Sequence, residues 1–339
     1  MRALVYVGPE RMEVREVPDP VVGVGEALLK VEAAGICGSD IHGFLGHSER
    51  RKPGLVMGHE AVATVVDVEP GVAGIRPSTR VCFNPLLSCG TCPACLEGRQ
   101  NLCASWRIYG MDRLHGTYAE YVAVPAGQLH PLSETLSRAE AILVEPIAVT
   151  LHAFRISLSE VPENVAVFGG GTLGCLALKI AKLRGVSRVC VVDRNPDRLE
   201  AARRLGADLA VDAGREDVAQ AVRDWTNGAG APFVVEAVGS TETRRGAVEA
   251  AARGARIVFL GLAEHSSPLP WIRMIRDEQA VFTSFAYTPR DFQAAVRLVE
   301  SRPFDLGPFS RSRPLEEGQE AFREMAHAPG SVLKMRLEV

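Results

Sequence analysis

Four of the chain's eight cysteines fall in one short stretch, CGTCPACLEGRQNLC. Cys89, Cys92, Cys95 and Cys103 read C-x2-C-x2-C-x7-C. Thiolates are soft ligands, and four of them fill a tetrahedral zinc shell with no position left for a substrate. Gly90, Pro93 and Gly98 suit a loop that folds around an ion. Two other readings compete. A bacterial iron–sulfur pattern, C-x2-C-x2-C-x3-C-P, shares the first two gaps, but here the last gap is seven residues and Ala104 follows. Disulfides need an oxidising compartment, whereas the opening MRALVYVGPERMEV has no long apolar segment and no small-residue cleavage site. A cytoplasmic setting with reduced thiols is therefore expected, and the expected occupant of the cluster is a structural zinc. A closed shell holds a loop together, so the chemistry has to lie elsewhere.

Further potential ligands occur in GICGSDIHGF and VMGHEAVATVVDV, which contain Cys37, His42, His59 and Glu60. In AILVEPIAVTLHA, Glu145 interrupts an apolar run. It sits either at a surface turn before Pro146 or against a partner, because an unpaired buried carboxylate is costly. NVAVFGGGTLGCLALKIAKLRG carries a stronger signal. The apolar run 165–168 leads into Gly169, Gly171 and Gly174, a G-x-G-x-x-G that passes through Thr172 and Leu173. Leu173, Leu176, Ala177 and Ile180 then recur at helical spacing. A second apolar run, RVCVVD, ends at Asp193, about twenty residues past the glycines. This order of strand, glycines, helix, strand and acid lets the backbone approach a pyrophosphate at a helix N-terminus. Asp193 would accept hydrogen bonds from the adenosine ribose and repel a 2'-phosphate, which favours NAD over NADP. Arg194 beside it would soften that preference, and Arg198 in the following helix is expected on the cofactor side as well.

These residues need elements to hold them. At 339 residues the chain has room for two domains. Over residues 150–285, strands and helices alternate. Asn195 and Pro196 make a cap and a first helical position. DLAVDA, PFVVEAVG, ARIVFLG and AVFTSF read as the third to sixth strands, with helices such as TETRRGAVEAAARG between them. An α/β fold with a Rossmann-type doubly wound parallel sheet is expected there. Residues 1–149 are rich in valine, glycine and proline, with EALLKVEAAG, EAVATVVDVEP and TRVCFNP as candidate strands. Helical periodicity is hard to find before residue 134, so a mostly β domain is expected, with the cysteine lobe at residues 86–105. After residue 286, PRDFQAAVRLVES and PLEEGQEAFREMA read as surface helices, with Phe292, Val296 and Val299 on one face. A net charge of −3 gives no reason to expect nucleic acid or an anionic membrane. No apolar run reaches the ~18 residues of a spanning helix. A small-molecule substrate is the expected partner.

CGSD-x-H, GHE, the four-cysteine lobe, LVEP and GGGTLG occur in the order found in zinc-dependent medium-chain dehydrogenases. The chain resembles that family over essentially its whole length, within the branch of sorbitol, threonine and galactitol-1-phosphate dehydrogenases. The resemblance implies a GroES-like catalytic domain at 1–149, completed by the segment 286–339, with the dinucleotide domain at 150–285 between them. It implies that Cys37 and His59 bind a second, catalytic zinc. It places Glu60 and Glu145 where the family completes the sphere, directly or through water. Alcohol dehydrogenases proper have cysteine at the position of Glu145, so the departure points to polyols, sugar alcohols or their phosphates, and amino alcohols such as threonine. Ser39 and His42 match the family's hydroxyl-to-imidazole proton relay, the plain alternative being local hydrogen bonds in a loop. Asp40 is a candidate acceptor behind His59.

The chemistry is consistent with that assignment. Hydride transfer from a secondary alcohol to a nicotinamide requires loss of the hydroxyl proton. Zinc with three protein ligands and one exchangeable position stabilises the alkoxide as a Lewis acid, while the nicotinamide takes the hydride. Two zinc ions per chain and NAD are the expected cofactors. A homodimer or homotetramer is expected, with AVFTSF as a candidate edge strand between subunits. The alternative function is a non-catalytic, redox-responsive zinc and nucleotide binder, which needs neither an open zinc site nor a relay. Cys82, Cys175 and Cys190 read as small core residues. His115, His130, His152, His265 and His327 match no ligand spacing, whereas His47 could reach substrate. Arg50, Arg51 and Lys52 in HSERRKPG are either a solvated run or a contact for a phosphorylated substrate.

Overall fold

The computed structural model describes residues 1–69, 75–301 and 304–339. Pro70, the last residue of the candidate strand EAVATVVDVEP, lies outside the described residues. The chain divides into two compact units, residues 1–148 with 288–339 and residues 149–287.

In the first unit the strand Glu26–Gly35 organises the main sheet. Its residues alternate: Ala27, Leu29, Val31 and Ala33 are buried and Lys30 is exposed, the period-two pattern of a strand with one face on a core. It pairs antiparallel with Glu60–Val68, so that Gly35 lies opposite Glu60. Tyr121–Pro125 pairs with its first half and Lys334–Glu338 with its last residues. Arg80–Phe83, Leu129–Pro131 and Ser310–Pro314 complete a seven-stranded sheet. The C-terminal residues thus supply one interior strand, Lys334–Glu338, and one edge strand, Ser310–Pro314. Its core gathers Leu4, Tyr6, Leu29, Phe44, Met57, Tyr118, Phe322 and Leu337.

Three local expectations change, one of them being that residues 251–254, read as the end of a helix, open the strand Ala251–Phe259. GICGSDIHGF, read as a loop, forms the helix Gly38–Phe44. The segment is too short to display a helical period, and short helices draw their stability from packing. Here Phe44 is fully buried, its ring 5.2 Å from that of Phe322, which meets Tyr118 edge-on at 5.7 Å. The Cys37 N–H donates to Asp40 Oδ2 at 3.3 Å and closes the first turn. Glu145, for which a surface turn was one option, is instead buried in the first turn of the helix Val144–Ser157.

The second unit is a six-stranded parallel sheet. Its spatial order is Leu209–Asp212, Arg188–Asp193, Asn164–Phe168, Ala231–Glu236, Ala251–Phe259, Ala280–Thr283. Strands one to three of the sequence thus run one way from Asn164–Phe168 and strands four to six the other. That reversal opens a crevice at the carboxyl ends of the two central strands, where doubly wound sheets bind their ligands. Every residue of Asn164–Phe168 is buried, as helix cover on both faces of a parallel sheet demands. Ala280–Thr283 forms one edge of the sheet. Among the described residues no helix is long and apolar enough to cross a membrane.

Candidate active site and metal centres

The four lobe cysteines converge, with all their sulfurs within 4.8 Å of one another. Cys92 and Cys95 are 3.5 Å apart, Cys89 and Cys103 3.5 Å, and Cys89 and Cys95 3.9 Å. Four thiolates at about 2.3 Å from one zinc would be separated by about 3.8 Å. A disulfide would need about 2.05 Å. The lobe also prepares thiolates before any ion arrives. Backbone N–H groups of Thr91 and Cys92 pull Cys89 down to about 5, and the Cys89 N–H lowers Cys103. Burial acts the other way on Cys95 and pushes it up to about 11.

The second group is Cys37, His59 and Glu60, whose ligand atoms also lie within 4.8 Å of one another. The pairing of Gly35 with Glu60 produces this meeting, because it sets the start of one strand against the end of the other. Gly35 has to be glycine, since a Cβ there would overlap the Glu60 carboxylate. His59 and Glu60 are 5% and 1% exposed, and Cys37 is partly accessible. Glu60 Oε2 accepts from Lys334 Nζ at 2.6 Å, in an ion pair with both side chains buried. Lys334 also donates to the Ile36 carbonyl at 3.2 Å. Burial pulls Lys334 down, but Glu60 and then Cys37 outweigh it and hold the ammonium above its ordinary value. The other carboxylate oxygen, Glu60 Oε1, is buried without a partner. Burial, followed by the charges of Glu60 and Asp40, pushes the Cys37 thiol up to about 11.

A thiol that resists ionising, an imidazole and an unpartnered carboxylate oxygen form a donor set that fits zinc with an open position. Glu145 is buried and acts electrostatically on Lys334, but it is not in the three-residue set.

Behind this group lies a buried polar network. His59 Nδ1 faces Asp40 Oδ1 at 3.7 Å, beyond hydrogen-bond range. Asp40 is fully buried and accepts from Arg51 Nη2 at 2.8 Å and from the Tyr118 hydroxyl at 2.7 Å. Burial alone would raise its carboxyl, but His59, Arg51 and Tyr118 hold it below the usual carboxylate range. Ser39 Oγ accepts from Arg51 Nη2 at 3.0 Å. Ser39 and His42 share the helix Gly38–Phe44, and the His42 ring meets His47 edge-on at 5.2 Å.

The basic run is mostly committed to the protein itself, and neither sequence option describes it. Arg51 is 5% exposed and bonded to Ser39 and Asp40. Arg50 pairs with Asp112 at 2.6 Å and stacks 3.8 Å over Trp106. Of the three, Lys52 is the residue left exposed. Sequence reasoning missed Lys334 and Tyr118 and gave Arg51 no partner. Lys334 left one trace, a lone lysine inside the apolar run SVLKMRLEV.

In the second unit, Gly169 and Gly171 lie in the turn between Asn164–Phe168 and the helix Thr172–Leu183, and Gly174 lies in the first turn of that helix. A Cβ at Gly174 would collide with the Gly169 carbonyl, so close packing of helix on strand requires glycine there. Gly171 caps the helix with no side chain, and the N–H groups of a first turn, here starting at Thr172 and Leu173, point out of a helix end. Asp193 closes the next strand. Its Oδ2 accepts from Gly170 N–H at 2.6 Å and its Oδ1 from Asn195 N–H at 2.8 Å, which fixes the carboxylate beside the turn. Arg194 is exposed, and Arg198 is half-buried with its Nε lacking a partner.

A parallel-sheet unit with a glycine turn and a β unit with thiol, imidazole and carboxylate together define a zinc-binding dehydrogenase. Family models agree. Residues 23–134 match the alcohol dehydrogenase GroES-like domain and residues 172–301 the zinc-binding dehydrogenase domain. L-threonine 3-dehydrogenase of Streptomyces coelicolor is 34% identical over 318 residues, covering 92% of each chain. Sorbitol dehydrogenase of Bacillus subtilis is 28% identical over 99% of this chain and 96% of its own. The crystal structure of galactitol-1-phosphate dehydrogenase from Escherichia coli superposes with a TM-score of 0.91 at 27% identity, covering 100% of both chains. The chain belongs to the zinc-dependent medium-chain dehydrogenase family. It is a zinc-dependent oxidoreductase that acts on secondary alcohols with NAD.

Proposed function

We propose that the substrate is a polyol, a sugar alcohol or an amino alcohol, with Cys37, His59, Glu60 and Glu145 around one zinc and Ser39 and His42 moving the proton. The observation that carries this reading is the Cys37–His59–Glu60 set, with Lys334 holding one oxygen of Glu60 and leaving the other free. Zinc bound there supplies Lewis acidity, and bound NAD supplies the hydride acceptor. Cys37 and His59 anchor the ion, while Glu60 and Glu145 provide carboxylates that complete the sphere directly or through water. Ser39 takes up the substrate's hydroxyl proton and His42 carries it onward. Asp193, fixed by Gly170 and Asn195, binds the adenosine ribose and favours NAD over NADP, with Arg194 and Arg198 tempering the preference. Because Arg50 and Arg51 are already paired, an unphosphorylated substrate is the better fit.

The edge strand Ala280–Thr283 and the exposed Trp271, Ile272 and Ile275 nearby in sequence support a homodimer or homotetramer. A monomer by light scattering would refute that. The free thiols of the lobe support a cytoplasmic setting.

The test is a panel of sorbitol, other sugar alcohols, threonine, galactitol 1-phosphate and ethanol, followed by NADH and NADPH absorbance. Turnover should be fastest with an unphosphorylated polyol or amino alcohol and NAD. Metal-replete protein that binds NAD but turns over nothing would point to a non-catalytic binder.

A further inference from the structure

We propose that Arg51 is a positioning residue that orients the Ser39 hydroxyl in the proton path, by filling one of its two acceptor positions. The inference rests on the relay reading given above. Arg51 Nη2 donates both to Ser39 Oγ at 3.0 Å and to Asp40 Oδ1 at 2.8 Å. It thereby joins the relay hydroxyl to the carboxylate that faces His59. A serine hydroxyl has one donor and two acceptor positions. With a guanidinium on one acceptor, one acceptor remains beside the hydroxyl proton, which in this structure also interacts with the Cys37 sulfur and works against the burial that raises that thiol. Any serine passes a substrate's hydroxyl proton on only as its own proton leaves toward the next acceptor, and the reverse for the opposite reaction; Arg51 fixes which acceptor position is left for that exchange. A guanidinium suits this place because it stays protonated at any working pH and cannot itself divert the proton.

The geometry shows a residue built in rather than resting there. Arg51 is 5% exposed, and its Nε is buried without a hydrogen-bond partner, an arrangement that costs stability. Asp40 Oδ2 accepts from Tyr118 and from the Cys37 N–H, while Oδ1 takes its hydrogen bond from Arg51, so the guanidinium serves the carboxylate and the hydroxyl together. Room for the side chain exists because residue 43 is glycine, where a Cβ would overlap Arg51 Cδ. The neighbouring Arg50 is held by two bonds to Asp112, at 3.1 and 2.6 Å, and by the Trp106 ring, so the backbone that delivers Arg51 is fixed.

The test compares Arg51→Met, Arg51→Lys and Ser39→Ala in the zinc-loaded full-length enzyme, using the alcohol turned over best in the panel. Arg51→Met should lower kcat about 10–100-fold, the scale of a misplaced reacting group, and leave the NAD KM within about twofold. Zinc should remain at two per chain, and the absorption of the cobalt-substituted enzyme should be unchanged. Added guanidinium should restore part of kcat, Arg51→Lys should retain more than Arg51→Met, and the Met change should do nothing further in a Ser39→Ala background. The proposal is overturned if folded, two-zinc Arg51→Met keeps its kcat, or if its loss merely tracks zinc loss and neither guanidinium nor Lys rescues it. Should Arg51→Met not fold, Arg51→Lys and Arg51→Gln decide by the same readings. A Ser39→Ala enzyme with full kcat would instead remove the relay, and with it the role given to Arg51.

Discussion

The two cysteine sites of the first unit are opposites. The lobe draws its ligands from fifteen consecutive residues, and backbone N–H groups lower two of its thiols toward the thiolate. The Cys37 site draws its parts from across the unit, with Lys334 arriving 274 residues after Glu60. Its thiol is pushed up to about 11 by burial and by its acidic neighbours. The lobe would hold anionic sulfur without help. The second site holds it only against an ion, which suits a centre whose charge has to respond to a substrate. Local sequence can build a clamp, whereas a poised centre needs the fold to bring mismatched groups together.

Substitutions can break this contrast. The largest effect is expected for Cys37→Ser. It should reduce kcat by about 10³-fold or more, the scale of losing key transition-state electrostatics, with one zinc lost, NAD binding kept and little change in melting. Unfolding or loss of both zinc ions would show that the two sites are not separate. Lys334→Met comes next. It leaves Glu60 as an uncompensated buried charge and should destabilise the fold by about 3–5 kcal/mol in denaturant titration. Adding Glu60→Gln should recover much of that, and strict additivity would mean the pair is not coupled. Cys92→Ser or Cys95→Ser should also lower zinc from two to one per chain, but with lower melting and less than about a tenfold fall in kcat. Equal zinc loss with opposite consequences is the sharpest form of the comparison. The smallest disturbance is alkylation of chelated protein at pH 7, followed by peptide mapping. Cys89, at about 5, should be largely thiolate and label fast. Cys37, at about 11, should be thiolate in roughly one molecule in ten thousand and label slowly. Equal labelling would sink the electrostatic contrast.

What could be read in the sequence follows the same division. The six strands of the doubly wound sheet were legible because each is a short apolar run with its own turn signals, and Glu26–Gly35 and Pro289–Ser301 match their candidate segments to the residue. The lobe was legible because cysteine spacing is local. The helix Gly38–Phe44 was not, because two turns held by Phe44, Phe322 and Tyr118 have no period of their own. Arg51 was visible only as one of three basic residues. Its burial depends on Asp40 and on the space left by Gly43, neither of which a charge count can register. Lys334 was invisible as a partner for Glu60, since nothing between the two residues signals that the last strand returns to the middle of the sheet.

The Arg50 contact with Trp106 and Asp112 has a consequence for anyone redesigning this scaffold. Trp106 follows the last lobe cysteine by three residues, and Arg50 precedes the residue that grips Ser39. Grafting, trimming or swapping the lobe between dehydrogenases therefore alters more than thermal robustness. A transplanted loop that omits an aromatic ring at 106 and an acid at 112 would leave position 51 without its tether, and the exchange would be felt as slower turnover in a protein that still looks well folded.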